Sequence, residues 1–174
     1  MALNENGLKF KIVHCKKLEI PSVKWNMGTK IAEGNWLVTI SDDSAPHPNW
    51  LSNALKTPNS GFLGLPDGVT GQRNHQFTPL YMATRDWLRK YNGGVLVIPH
   101  YRIWYADIET SLRAQRSLTY RVAWNAVVEQ LHTIFNTAPN DEIYKIGEER
   151  RVGDLKTFED RMSRGFPDDF ERVL

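Results

Sequence analysis

Leu118-Thr119-Tyr120-Arg121-Val122-Ala123-Trp124-Asn125-Ala126-Val127-Val128-Glu129 is the stretch whose reading sets the fold class. Leu118, Tyr120, Val122, Trp124, Ala126 and Val128 occupy every second position. Thr119, Arg121, Asn125 and Glu129 fall between them, together with Ala123 and Val127. Successive strand side chains point to opposite faces, so this alternation predicts a long strand from 118 to about 129. The segment contains no Gly or Pro, and a helix running on to Phe135 is the second reading. On the strand reading Val122 and Trp124 are buried, and Trp124→Ala costs about 3–5 kcal/mol.

Toward the N-terminus, Ile103–Leu112 reads as another strand, with Trp104, Ala106, Ile108 and Leu112 on one face and Asp107, Glu109 and Ser111 on the other. Val95–Pro99 (VLVIP) reads as a strand buried on both sides. Thr78–Tyr91 is the best helix candidate. Thr78 caps it, Pro79 takes the first position, and Leu80, Met82 or Ala83, Trp87 and Tyr91 form its apolar stripe. Arg89 and Lys90 suit its C-terminal end, and Asn92-Gly93-Gly94 supplies a left-handed stop. Thr57–Gln76, with Gly61, Gly64, Gly68, Gly71, Pro58 and Pro66, reads as a long loop that orders when a partner docks. Asn49–Lys56 reads as a short helix with Trp50, Leu51 and Leu55 inward. Asn35–Ser41 and Leu8–His14 are strands, and Lys17–Ile20 is a short piece stopped by Pro21.

Toward the C-terminus, Asn136–Asp141 is a linker, and residues 142–174 are highly charged. Short helices are expected over Asp154–Met162 and from Pro167 through Phe170. The organisation read from this is a β-rich body, 1–135, with a helix at 78–91, and a charged helical arm, 136–174. The fold class is α+β: a barrel-like or sandwich domain with one flanking helix and a helical C-terminal arm. The apolar residues of the arm, Leu155, Phe158, Met162, Phe166, Phe170 and Leu174, are too few for a separate core. Its helices are too short to stand alone and dock on the body or on a neighbour, and the segment is expected to lie across a neighbouring subunit or another assembly protein, as an arm.

A chain of 174 residues, 41% hydrophobic and 24% charged, has the composition of one globular domain and not of a disordered segment. Residues 1–135 carry 15 Lys and Arg against 10 Asp and Glu, while 136–174 carry 7 against 10. A mildly basic body with an acidic tail could meet nucleic acid or its own neighbour in an assembly, and a net of +5 over 135 residues is weak evidence for nucleic acid. The single cysteine, Cys15, excludes an internal disulfide, and neither a signal peptide nor a membrane span is legible. Folding in a reducing cytoplasm is expected.

The five histidines, His14, His47, His75, His100 and His132, show no metal-ligand spacing, and there is no Cys-x-x-Cys. No phosphate loop occurs among the glycines of 57–76. Asp42-Asp43 near His47 could bind a cation on a loop but reads better as a solvated turn, and His14 and Cys15 point to opposite strand faces. His100, Asp107 and Glu109 are close enough in sequence to suggest an acid/base site, but no nucleophile stands in a recognisable context. The expectation is a non-enzyme without metal or cofactor. The clustered aromatics are better read as a partner interface: Tyr101, Arg102, Trp104 and Tyr105, with Leu155, Phe158 and Phe170 from the arm.

Gly71-Gln72-Arg73-Asn74-His75-Gln76-Phe77, Arg85-Asp86-Trp87-Leu88, Gly93-Gly94-Val95-Leu96-Val97-Ile98-Pro99 and the alternating Tyr120–Val128 follow one another in an order that resembles the distal tail and circularisation-protein families of tailed bacteriophages. The resemblance covers about residues 71–130. It departs after Pro99, where His100-Tyr101-Arg102 replaces the usual Pro-x-x-Gly turn. It implies a barrel-like domain repeated in a ring around a tail axis, with self-association, other tail or baseplate proteins as partners, no catalysis, and a place in the virion tail after assembly in the host cytoplasm. Two alternatives come from other classes. One is a nucleic-acid-binding module using Lys9, Lys11, Lys16, Lys17 and the Trp104-Tyr105 region; the other is a small enzyme with its site near His100.

Overall fold

The computed structural model describes residues 2–3, 9–10, 21–68, 77–131 and 142–170. Five helices and seven short strands alternate along these residues, so the fold is α+β. The centre is a three-stranded antiparallel sheet in which β6 (Leu80–Thr84) lies between β3 (Trp36–Val38) and β5 (Phe62–Leu65). Its registers include Leu37↔Ala83 and Leu63↔Met82. Side chains alternate across this sheet as a pleat requires. Phe62, Tyr81 and Ala83 enter one core with Trp87, Leu88, Val95–Ile98, Tyr101 and Phe170. Leu63, Leu65, Leu80 and Met82 enter a second core with Ala54, Ala123, Ala126 and Val128. The sheet is therefore covered on both faces. The other pairings, β1 (Ala2–Leu3) with β2 (Lys9–Phe10) and β4 (Ser44–Pro46) with β7 (Val128–Gln130), are two-stranded, and no closed barrel forms among the described residues.

Several sequence expectations need correction. The helix expected at Thr78–Tyr91 is split. Leu80–Met82 are all buried, and the chain runs there as the central strand. Helix α3 (Arg85–Tyr91) begins only at Thr84, whose side chain accepts from Trp87 N at 3.2 Å. Thr78 is not a cap but a buried residue behind the sheet, where a methyl group on Gly64 would overlap it. The loop expected over 57–76 contains β5, all four of whose residues are buried; residues 69–76 lie outside the described part. Helix α2 (Trp50–Lys56) forms as expected, but it buries Ala54 and turns Leu51 and Leu55 to solvent.

The stretch that opened the reading is neither a long strand nor a helix. Val122 bridges Gly64 in parallel, with Gly64 N donating to Arg121 O at 2.8 Å and Ala123 N to Gly64 O at 3.0 Å. Leu118 takes a φ of 59°, and Ala126 N closes a turn onto Ala123 O at 2.8 Å. That turn breaks the alternation. The small residues Ala123 and Ala126 go inward, and Trp124 is left 45% exposed. The burial expected of Trp124 is overturned. Residues 132–135 lie outside the described part, as do most of the strand expected at 8–14 and the piece at 17–20.

Val95–Ile98 is buried as expected but has no strand partner. Its backbone is paired with side chains instead. From α1 (Pro21–Ile31), a helix the apolar pattern does not announce, Asn26 Nδ2 donates to Val97 O at 2.7 Å, and its Oδ1 accepts from Leu96 N and Val97 N, each at 3.1 Å. Tyr81 OH donates to Leu96 O at 2.6 Å, and Asn92 Nδ2 to Val95 O at 2.8 Å. A buried backbone needs its hydrogen bonds but not necessarily from a strand.

The segment Ile103–Leu112, expected as a strand, is mostly helix α4 (Ala106–Arg116). The last helix, α5 (Glu142–Ser163), is a single element of 22 residues, longer than expected. Gly147, Asp154 and Arg161 recur on it every seventh position and are its buried residues among those whose side chains are described.

Candidate functional site

Helix α4 carries two acids to two different places. In a strand Asp107 and Glu109 would share a face; in a helix, positions two apart point to opposite sides. Glu109 turns into the interior, where it is fully buried. Its Oε1 accepts from Arg113 Nε at 3.0 Å and from Arg161 NH2 at 3.0 Å, and its Oε2 accepts from Arg161 Nε at 2.9 Å and Tyr101 OH at 2.6 Å. Burial alone would raise the Glu109 carboxyl; hydrogen bonds from Arg161 and Tyr101, with the charges of Arg161 and Arg113, outweigh it and hold the group below the usual range. Arg113 also reaches Asp168 at 2.5 Å, and Arg161 reaches Asp169 at 2.5 Å. Arg161, itself 1% exposed, therefore ties the start of the C-terminal segment's final turn to the centre of the body.

Asp154 makes a second tie. Its carboxylate accepts from Arg102 N at 3.0 Å, and from Ile103 N and Trp104 N, each at 2.9 Å. Three successive backbone N–H groups form a concave anion site, and the protein fills it with its own aspartate. Trp104 Nε1 donates to Gly147 O at 2.8 Å, and Tyr105 stacks on Phe158 with centroids 5.2 Å apart. Beyond α5, Phe166 and Phe170 are buried, and Phe170 packs over Gly93, whose φ is +57°.

These contacts relocate the expected partner interface. Tyr101 and Phe170 are buried in the chain's own core and are not surface residues. Trp104, Tyr105 and Phe158 are half-buried along the seam between the 101–105 loop and α5, whereas Arg102 and Leu155 are exposed. The structure brings most of these residues together around the chain's own C-terminal helix. The C-terminal segment docks on the chain's own body, where its acidic groups Asp154, Asp168 and Asp169 find donors.

The acid/base site suggested near His100 does not assemble. His100 Nε2 lies 3.1 Å from Asp169 Oδ1 and its ring 5.7 Å from that of Phe170. Burial and the charge of Arg161 lower its pKa, with Asp169 opposing. Glu109 is held by two arginines, and Asp107 lies elsewhere. Of the lysines proposed for nucleic acid, Lys11, Lys16 and Lys17 lie outside the described residues. Among the described residues no group of three or more His, Cys, Asp or Glu side chains is placed to hold a metal ion, and no helix is long and apolar enough to cross a membrane.

Asp107 opens instead onto a cleft of about 310 Å³ between α1, the β3–β4 turn, the start of β6 and α5. Trp25, Tyr81, Trp104 and Ile103 supply apolar wall, and Asp42, Asp43 and Asp107 also line it. Enclosure raises the Asp107 carboxyl to about 6, against backbone N–H donors at the start of α4 that lower it. The sequence reads Asp42 and Asp43 as a turn and Asp107 as a strand neighbour of Glu109, because the helix at 106–116 is hidden from the apolar pattern. Comparison of the chain with protein-family models, curated proteins and solved structures gave no match.

Proposed function

We propose that this chain is a structural, protein-binding domain that self-associates, and that the assembly it serves is a bacteriophage tail or baseplate. The observation that carries the binding role is a group of apolar side chains facing solvent. Leu51 and Leu55 stand one helical turn apart on α2, 44% and 50% exposed. Asn53, two positions from each and so on the opposite side of α2, donates to Asn125 O at 2.7 Å, and Trp124, next to Asn125 in the chain, is 45% exposed. Exposed leucines and an exposed indole have the chemistry of interface anchors. The tail assignment rests on the resemblance over 71–130. The strand leading into the Arg85-Asp86-Trp87-Leu88 helix, the glycine turn and the segment ending at Pro99 support it; a helix at 106–116 and a broken strand at 118–130 depart from it. The contact between copies is assigned to this apolar surface and not to charge, since the acidic C-terminal groups are paired within the chain. Electron microscopy of the purified full chain tests the proposal. Closed rings of one size support it, and isolated single chains at every concentration refute self-association.

A further inference from the structure

We propose that the Asp107 cleft is a binding site for an organic cation, a guanidinium or alkylammonium group. Its volume lies at the low end of ligand-sized pockets, about 300 Å³ and upward, and suits one side-chain-sized group. Trp25, Tyr81 and Trp104 are among its lining residues, and aromatic rings attract cations. Asp42, Asp43 and Asp107 line it together, and none of the described residues that line it is Lys, Arg or His.

Contrast with Glu109 sharpens the case. Two residues along the same helix, Glu109 is buried against Arg113 and Arg161. Among the described residues Asp107 has no such ion-pair partner, and backbone N–H groups of Asp107 and Ile108 are hydrogen-bond donors to its carboxylate. A guanidinium or ammonium in the cleft would give Asp107 the counter-charge that the arginines give Glu109, with the indoles flanking its apolar stem. None of Leu51, Leu55 and Trp124 is among the lining residues of the cleft, and the site stands or falls separately from them.

Binding is read from the indole N–H resonances of Trp25 and Trp104 in the full-length protein. The probes are N-acetyl-arginine amide and its uncharged analogue N-acetyl-citrulline amide. The expected result is a saturable shift of both resonances with the arginine probe and none with citrulline. Asp107→Asn should weaken binding roughly tenfold or more, the scale of one lost charge-assisted hydrogen bond. Trp25→Ala, on the outer wall, should weaken it as well, and circular dichroism confirms that both variants are folded. A glycine–serine peptide bearing one arginine separates sources: tighter binding than the capped amino acid assigns the cation to a partner protein, and equal binding to a free small molecule. The proposal is overturned by the absence of a saturable shift, by equal response to citrulline, or by unchanged affinity in Asp107→Asn.

Discussion

Asp107 and Glu109 are two residues apart, and the fold shifts their titrations in opposite directions. Folded Asp107 protonates at about 6 against an ordinary 3.8, so the folded state holds the extra proton between those values. Its ionised form therefore opposes folding above pH 6, and that cost fades as pH falls toward 4. Asp107→Asn should stabilise the protein near pH 7 by on the order of 1–2 kcal/mol, allowing for partial exposure, with the gain vanishing at acid pH. Urea melts across that range check it; a loss of stability at neutral pH would show that Asp107 already has a counter-charge. Glu109 has the opposite sign. Its folded pKa is depressed, so its contribution is complete above the ordinary 4.5 and is lost as pH falls through the folded value. Glu109→Gln leaves the buried Arg161 with Asp169 as its remaining carboxylate and removes the partner of Arg113 inside the core, and should cost about 3–5 kcal/mol at neutral pH. Asn26→Ala leaves two buried N–H groups and one carbonyl of Leu96 and Val97 unpaired, and should cost about 2–4 kcal/mol by the same measurement.

At the scale of the element, α5 is held by polar groups spaced every two turns. Gly147 accepts from Trp104, Asp154 gathers three backbone N–H groups, and Arg161 grips Glu109. Ending the chain before residue 142 would strip Glu109 of Arg161 and open the core where Phe170 packs. The truncated chain is expected to lose its cooperative thermal transition; a folded remnant would mean that α5 is a detachable arm. The same elements explain what was legible in the sequence. The strand at Trp36–Val38, the short helix at Trp50–Lys56 and the glycine stop at Gly93-Gly94 rest on local signals, β-branched runs and left-handed turns, and were readable. Helices α1, α4 and much of α5 were not, because their inward faces are polar: Ser22 and Asn26, then Glu109, Thr110 and Arg113, then Asp154 and Arg161. A search for apolar residues at helical spacing passes over such faces. At 118–130 the opposite error arises: a real apolar alternation is broken by a turn, and the large residue goes outward. Trp124→Ala is thus expected to cost under about 1 kcal/mol, as for other exposed positions.

At the scale of the molecule, a sheet of three strands separates two cores, and the interior is completed by an ion network linking α4 to the C-terminal segment. This arrangement leaves two outward features of different chemistry. The acidic aromatic cleft at Asp107 is the proposed cation site, and the exposed Leu51, Leu55 and Trp124 are the proposed contacts with a second copy of the chain. The candidate site was legible only in part: its residues were noticed one by one, but their grouping depends on helices with polar inner faces. The central claim is that the chain works by self-association through the apolar surface. Sedimentation velocity of the full chain beside a Leu55→Glu/Trp124→Glu variant tests it most directly. The account predicts a discrete oligomer for the natural sequence and a folded monomer for the variant. A natural chain that sediments as a monomer at every concentration, or a variant that assembles as well as the natural chain, would contradict it.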